Sequence, residues 1–282
     1  MIDIHCHLDF EDYNSDRDEV IERAKNKLTA IINSGTSYEG NKVVLKLSKK
    51  YNGFIYPTLG FHPINSGKTS DVDIKIAIDH ITEHINDFVA IGEVGMDYFY
   101  IKDKGERERQ KEIFKQFADL AEIHKKPILI HCRDAEKKAF NIIKEYDNIP
   151  SVIFHCYSGS LKTADKLVDN GYYMSFANML SYSKQHQELI KNIPIENILT
   201  ETDSPYLSTN RGERNEPYNV YKTIYKIAEI KGIDLDLADK ITENTAKNVF
   251  NIWNYSDYGL SVCMIISMSF TSVIRIWGII YA

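Results

Sequence analysis

The feature that most constrains the fold of this chain is a regular alternation of short apolar segments with longer amphipathic ones. Helical-looking polar segments separate eight short runs rich in Ile, Val, Leu, Tyr and Phe, which we predict as strands: Ile2–Cys6, Leu28–Asn33, Phe54–Leu59, Phe88–Glu93, Pro127–His131, Ser151–His155, Tyr172–Phe176 and Asn197–Glu201. This alternation is typical of repeated βα units. We therefore predict an α/β fold, a (β/α)8 TIM-like barrel, although an open doubly wound sheet alternates in the same way.

The segments between the strands show helical periodicity. In Glu106–His124 the apolar residues Ile113, Phe117 and Leu120 recur at spacings of four and three, which predicts a helix with one buried face. Two further helical segments, Pro217–Lys231 and Asp236–Phe250, follow the last predicted strand. We predict that residues 1–253 form one barrel domain.

The C-terminal segment, residues 254–282, differs in composition from the rest. An uncharged, mostly apolar run extends from Tyr258 to Ile274 and is broken by Arg275. A membrane-spanning helix needs about 20 such residues, and the serines and threonines of this run weaken the case for one. We predict an apolar C-terminal appendage of uncertain structure, and membrane association only through it.

Composition limits the partners and the compartment. The formal net charge is −6, with 34 basic and 40 acidic side chains, so a polyanionic substrate would need positive charge from bound metal or from a local patch. The four cysteines are isolated and the N-terminus MIDIHCHLDF lacks the features of a signal peptide, which predicts a reducing, cytoplasmic location. No Gly-rich phosphate-binding fingerprint follows a strand, so we expect no nucleotide cofactor.

The first predicted strand carries a His-x-His pair. Because side chains alternate along a strand, His5 and His7 point to one face, where two imidazoles can bind one metal ion. Taken alone the pair is weak evidence, since single histidines more often have structural roles.

Four more metal-competent side chains stand at or just beyond the ends of other predicted strands: Glu93, His131, His155 and Asp203. In a barrel, these C-terminal ends meet at one mouth, where barrel enzymes keep their active sites. A histidine there could instead fill the barrel, and an acidic residue after a strand could cap the next helix. Four histidines and two carboxylates exceed the needs of one tetrahedral ion, so we predict two divalent metal ions, with Glu93 suited to bridge them.

Seven ordered blocks carry a resemblance to a known family: MIDIHCHLD, GFHP, IGEVGMDY, PILIHCRDA, HCYSGS, ETDSPYL and RGERNEP. Collinear from Met1 to about Trp253, they resemble the TatD-type metal-dependent deoxyribonucleases of the amidohydrolase-like barrels. Ile4, Lys137 and Thr200 depart from the family's usual residues without removing a ligand.

The resemblance implies a hydrolase that cleaves phosphodiester bonds in DNA, often from a 3′ end, as a 3′–5′ exonuclease. It implies magnesium or manganese as the metal, whereas histidine-rich ligation leaves zinc open. The metal ligands it implies are His5, His7, Glu93, His131, His155 and Asp203. Such ions make a water nucleophilic near neutral pH, and we expect Asp203 to position that water and accept its proton, with Glu93 as the second catalytic residue.

Further residues are predicted around the centre. By strand alternation, Glu201 lies one layer below Asp203 and Asp3 one layer below His5, where each could orient a ligand or belong to a buried polar network. We predict substrate contacts for four residues at the mouth: His62, Arg133, Ser158 and Arg214. The alternatives are a loop hydrogen bond for His62, a structural ion pair for Arg133, N-capping by Ser160 rather than a phosphate cradle at Ser158, and solvated loop charge around Arg211 and Arg214.

Two other functions remain compatible with these residues. The same metal chemistry hydrolyses carbonyl compounds, so an amidohydrolase or esterase acting on an amide, lactone or aminoacyl ester is one alternative. The other alternative is a non-catalytic binding protein in which the metal ions only stabilise the fold. Oligomeric state and DNA strand preference, including single-stranded DNA, are not fixed by the sequence.

Overall fold

The computed structural model describes residues 1–210 and 212–253, and it contains a sheet of eight parallel strands in the order β1 to β8. The strands are β1 Ile2–Cys6, β2 Ala30–Ser34, β3 Ile55–Leu59, β4 Ala90–Asp97, β5 Ile128–Arg133, β6 Val152–His155, β7 Tyr173–Phe176 and β8 Ile198–Thr200. The sheet curls until its two edges meet, because Cys6 pairs with Ser204 just beyond β8. The predicted TIM-like barrel is confirmed.

Helices cross over between the strands and cover the outside of the barrel. They are α1 Arg17–Lys25, α2 Tyr38–Lys50, α3 Pro63–Ser66, α4 Asp71–Glu83, α5 Lys104–Ile123, α6 Glu136–Ile143, α7 Leu161–Asp169, α8 Lys184–Asn192, α9 Val220–Lys231 and α10 Leu235–Phe250. Their apolar faces are buried. In α5, for example, the side of the helix that carries Ile113, Phe117 and Leu120 is at least 90% buried at each of these residues. Within the described residues, no helix combines the length and the apolar character needed to cross a membrane.

Most element boundaries differ from the prediction by one or two residues, and three of the differences bear on the loops around the barrel mouth. The predicted fourth strand ends at Glu93, but β4 continues to Asp97, because Val94–Asp97 pair with Ile130–Arg133 of β5. Strand β8 is shorter than predicted and ends at Thr200, so Asp203 lies in the loop that follows. The predicted helix Pro217–Lys231 divides into a 3-10 turn, Pro217–Asn219, and α9.

Residues Met1–Phe250 form one compact unit. The predicted apolar tail, 254–282, and any membrane association through it lie outside the described residues, as does Arg211.

The closing seam between β1 and the segment after β8 is held by backbone hydrogen bonds near the barrel mouth. The N–H of Asp203 donates to the carbonyl of His5 over 3.0 Å, and the N–H of His7 donates to the carbonyl of Ser204 over 2.8 Å. Deeper in the seam, the Thr200 hydroxyl donates to the carbonyl of Ile2 over 3.0 Å. The seam therefore positions residues from the two ends of the barrel domain side by side.

Candidate metal centre

The six predicted metal ligands lie together at the C-terminal ends of the strands. Five of them line a cavity of about 710 Å³, and the sixth, His5, is fully buried beside them. By ligand-atom distance they fall into three overlapping groups, His5–His7–Glu93, His5–His155–Asp203 and His62–Glu93–His131. The barrel brings them to one place because β1, β4, β5 and β6 run parallel and end on the same side.

On β1, hydrogen bonds from β2 orient both imidazoles. Nδ1 of His7 lies 3.0 Å from the carbonyl oxygen of Ser34, so Nδ1 carries the hydrogen and Nε2 presents a lone pair. Nδ1 of His5 lies 3.0 Å from the hydroxyl of the same Ser34. The two Nε2 atoms face each other at 3.1 Å. Strand β2 thus fixes the rings with both Nε2 atoms aimed at one point.

The two oxygens of Glu93 divide between two pairs of histidines. Oε1 lies 2.7 Å from Nδ1 of His131 and 2.8 Å from Nε2 of His155. Oε2 lies 3.5 Å from Nε2 of both His5 and His7. Each oxygen of Glu93 therefore faces a different pair of candidate ligands.

Asp203 completes the set around the β1 histidines. Its Oδ1 lies 3.5 Å from Nε2 of His5 and 3.6 Å from Nε2 of His7. Corners of a tetrahedron about 2.0–2.1 Å from a zinc-sized ion are about 3.3 Å apart, so these separations suit a shared ion.

On the opposite side, His131 is held by a residue that the prediction missed. Its Nε2 lies 3.1 Å from Oδ2 of Asp97, which is fully buried at the end of β4. The carboxylate accepts the Nε2 hydrogen and leaves the lone pair on Nδ1, which faces Glu93 and His155.

The centre is electrostatically prepared for cations. Burial alone would raise the pKa of Glu93, but the surrounding histidines, His62 and His155 foremost, hold it well below the usual range. Burial would likewise raise the pKa of Asp203, and hydrogen bonds with His5 and His7 hold it below its ordinary value. Burial alone would lower the pKa of His155, yet the charge of Glu93 raises it well above 6.5. Both carboxylates are therefore ionised in the metal-free centre.

An unpartnered atom indicates that the residues fit a metal. Oε2 of Glu93, which faces His5 and His7, is buried without a hydrogen-bond partner. A buried polar atom without a partner costs about 1–3 kcal/mol, and native proteins seldom keep one without a role. Nitrogen and carboxylate donors of this kind are those that divalent transition ions take.

His62 lies beside Glu93 but is set up as a donor. Its Nδ1 accepts the N–H of Ile64 at the start of α3 over 3.2 Å, so the ring hydrogen is on Nε2. That Nε2 lies 3.2 Å from Oε1 of Glu93. In this tautomer His62 can donate to an anion at the mouth.

Two other predicted substrate contacts line the cavity. Arg133 is exposed at the end of β5, with its guanidinium 3.9 Å from the ring centre of Phe99 and 5.2 Å from that of Tyr100. The hydroxyl of Ser158 is 3.0 Å from Nε2 of His186, a further residue that the prediction missed. Ser160, as the alternative held, caps α7 with its hydroxyl.

The structure does not bring Arg214 to the cavity. Its guanidinium pairs with both oxygens of Asp16, at 2.8 and 2.6 Å, and stacks 4.6 Å from the ring centre of Tyr13. Because those contacts occupy its donors, the geometry supports a structural role instead of the predicted phosphate contact.

The two predicted supporting carboxylates differ. Glu201 lies 3.7 Å from Nδ1 of His155 through Oε2, which also accepts the Ser175 hydroxyl over 2.5 Å. Asp3 contacts no imidazole nitrogen; it accepts the hydroxyl of Thr202 over 2.6 Å and the N–H groups of Thr202 and His5. Asp3 therefore belongs to the buried polar network beneath the seam.

An eight-stranded parallel barrel with four histidines and two carboxylates at its mouth defines a metal-dependent hydrolase of the barrel class. The family model described as TatD related DNase matches residues 2–251. This chain belongs to that family, as its resemblance predicted.

Individual relatives agree with the family. An uncharacterized metal-dependent hydrolase of Methanocaldococcus jannaschii is 42% identical over 247 residues, 87% of this chain and 95% of the relative. Human deoxyribonuclease TATDN3 is 30% identical over 89% of this chain and 94% of its own. The crystal structure of YJJV, a TatD homolog from Escherichia coli, has a TM-score of 0.82 and 28% identity, covering 89% of this chain and 98% of that one.

Proposed function

We propose that this hydrolase is a deoxyribonuclease that uses two divalent ions to cleave phosphodiester bonds. The observation that carries the proposal is the division of the Glu93 oxygens between His131–His155 and His5–His7. Paired ions act in many phosphodiester-cleaving enzymes, where they clamp the attacking and leaving oxygens. The name of the human relative, a deoxyribonuclease, supports DNA as the substrate.

In this proposal, one ion is held by His5, His7, Glu93 and Asp203, and the other by Glu93, His131 and His155. Bound divalent ions supply a nucleophilic water near neutral pH and neutralise charge on phosphate oxygens. Side chains of the protein position the substrate and transfer the proton.

Asp203 holds the attacking water and receives its proton, as its partly buried position on the wall of the cavity allows. Glu93 lies beneath it and holds the His5–His7 pair and the His131–His155 pair in a fixed relative position. His62 donates its Nε2 hydrogen to a phosphate oxygen, Arg133 presents its guanidinium fork, and Ser158 offers a hydroxyl oriented by His186.

Several finer assignments belong to the same proposal. We propose magnesium or manganese as the working ion, attack from the 3′ end of single-stranded DNA, and a cytoplasmic location. Histidine-rich ligation keeps zinc among the ions to be compared.

The decisive experiment is digestion of a 5′-labelled single-stranded oligonucleotide by highly purified protein with magnesium, manganese or zinc. We expect a ladder of shortened products, abolished by EDTA. Asp203→Asn, which keeps the side-chain shape but cannot take the proton as a carboxylate does, should lower the rate by about 10²–10⁴-fold. Asp165→Asn, at an exposed position on α7, is the matched control and should cleave like wild type.

Parallel assays on bis-p-nitrophenyl phosphate and on a panel of esters, lactones and amides separate the alternatives. Hydrolysis of a carbonyl substrate without phosphodiester cleavage would replace the proposal by an amidohydrolase or esterase. Metal binding without any hydrolysis would replace it by the non-catalytic binding protein. Phosphodiester cleavage that survives in Asp203→Asn would mean either that a contaminating nuclease is present or that Asp203 does not take the proton.

A further inference from the structure

The C-terminal end of α4 carries a second group of metal-competent side chains that the proposed function does not use. In the part of the chain that the structure describes, His80, Glu83 and His84 each offer one ligand atom, and these atoms lie within 4.8 Å of one another. The backbone N–H of His84 donates to the carbonyl of His80 over 3.2 Å, so the two imidazoles are one helical turn apart on the same face. The cavity at the barrel mouth is lined by other residues.

His80 has a buried nitrogen that lacks a partner. The residue is only 9% exposed, and its Nε2 has no hydrogen bond. The rings of His80 and His84 meet edge to face, with centres 4.7 Å apart. Burial, followed by the charge of His84, lowers the pKa of His80, which favours the neutral form that binds metals.

His84 is oriented from outside the group. Its Nδ1 lies 2.7 Å from Oδ2 of Asp87, which leaves Nε2 as the nitrogen with the lone pair. Carboxylates placed behind metal-bound histidines commonly fix the ring in this manner. His84 is also the C-cap of α4, and the partial negative charge at a helix C-terminus favours a bound cation.

The surroundings leave the outer side of the group open. Tyr38 packs edge to face against His80 with ring centres 5.1 Å apart, on the α2 side. Lys42 on that helix, whose charge also lowers the pKa of His80, is paired with Glu39 over 3.1 Å. Glu83 is exposed, so its carboxylate can turn toward the imidazoles.

We propose that His80, Glu83 and His84 form a separate binding site for a divalent transition ion of the zinc, nickel and copper class. Two imidazoles and one carboxylate are the donors this class prefers, and they leave a fourth position for water. The site is independent of the hydrolytic centre, because it shares no residue with it.

The test measures how many zinc ions each protein binds. Full-length protein is dialysed against Zn²⁺ and its metal content is measured by mass spectrometry, for wild type, His84→Asn and the matched control His124→Asn. His124 is likewise a helix C-cap, at the end of α5, but stands in no group of metal-competent side chains among the described residues. We expect His84→Asn to bind one equivalent fewer than wild type, or to bind it at least tenfold more weakly, and His124→Asn to match wild type.

Far-UV circular dichroism and the thermal melting temperature show whether each variant is folded, independently of any hydrolytic activity. If His84→Asn does not fold, Glu83→Gln at an exposed position replaces it with the same expectation. Equal zinc content and equal affinity in wild type and the folded variant would overturn the proposal.

Discussion

At the scale of single residues, hydrogen bonds decide which ring nitrogen of each histidine is available. Ser34 fixes His7 so that Nε2 is free, Asp97 fixes His131 so that Nδ1 is free, and Ile64 fixes His62 as a donor. Ligand identity in this centre therefore depends on residues that bind no ion themselves.

Asp97→Asn tests that dependence. The new amide would donate to Nε2 of His131, which moves the ring hydrogen to Nδ1, where the ion must bind. Since the contact that Asp97 makes with the N–H of Tyr100 can persist through the amide oxygen, the fold should survive. We expect metal affinity to fall about 10–100-fold, measured by titration calorimetry. Wild-type affinity in the variant would contradict the assigned tautomer.

Arg214→Ala distinguishes a structural from a substrate-binding arginine. We expect the free energy of unfolding to fall by about 0.5–1 kcal/mol at pH 7, because the ion pair with Asp16 is partly exposed, and KM for DNA to stay unchanged. The hydrogen bond with Arg214 lowers the pKa of Asp16, so this stabilisation is present above the ordinary Asp pKa and is lost as the pH falls through the lowered value. Urea denaturation at pH 7 and below about pH 4 measures the difference, which should shrink in acid. A large rise in KM for DNA would instead support the predicted substrate contact of Arg214.

The sequence predicted the six ligand candidates and Glu201, which lies near His155, but missed the groups that orient His5, His7 and His131. Alternation along a strand places Glu93 and Asp97 on one face, and this signal went unused because the strand was predicted to end at Glu93. Ser34 and His186 carry no motif; only the pairing of β1 with β2 and the packing of α8 bring them to His7 and Ser158.

At the scale of elements, β4 shows why strand ends were less predictable than strand positions. Its sequence, AIGEVGMD, contains two glycines, which normally weaken a strand. Gly95 has a φ of +141°, and a Cβ there would collide with the backbone of His131. The glycine thus permits the close approach of β4 to β5, and the strand continues through the point where composition predicts a break.

The loops after β4 and β8 present exposed aromatic rings at the cavity. Tyr100 is 59% exposed and Tyr206 is 55% exposed, and both line the cavity. If single-stranded DNA is the substrate, its bases stack on such rings with about 1–3 kcal/mol each, so Tyr100→Leu or Tyr206→Leu should lower kcat/KM for an oligonucleotide about 5–100-fold.

Hydrolysis of bis-p-nitrophenyl phosphate, which has no bases, should be nearly unchanged in both variants. Tyr225→Leu, at an exposed position on α9, is the matched control for loss of a surface tyrosine. Equal losses on both substrates would mean that the rings support the centre instead of the substrate.

At the scale of the whole molecule, charge sets the salt dependence of DNA cleavage. The net charge is −6, and Arg133 is the one arginine or lysine among the described residues that line the cavity. In a plot of log kcat/KM against the logarithm of the salt concentration, each phosphate of a single strand that the protein neutralises contributes about −0.7 to the slope. We therefore expect a slope of about −1 to −2.

Arg133→Ala should reduce that slope by about 0.7. Cleavage rates of a single-stranded oligonucleotide at several sodium chloride concentrations, at fixed metal, provide the measurement. A slope steeper than about −5 would mean that a basic surface away from the cavity binds the DNA backbone.

The seam that closes the barrel also has a consequence for biosynthesis. His5 and His7 leave the ribosome early, whereas Asp203 and its backbone bond to His5 arrive only after the final strand. A nascent or prematurely terminated polypeptide that ends before this strand contains five of the six candidate ligands but lacks Asp203 and the partner that closes the free edge of β1. If Asp203 takes the proton of the attacking water, we therefore expect no hydrolysis by a polypeptide truncated before β8.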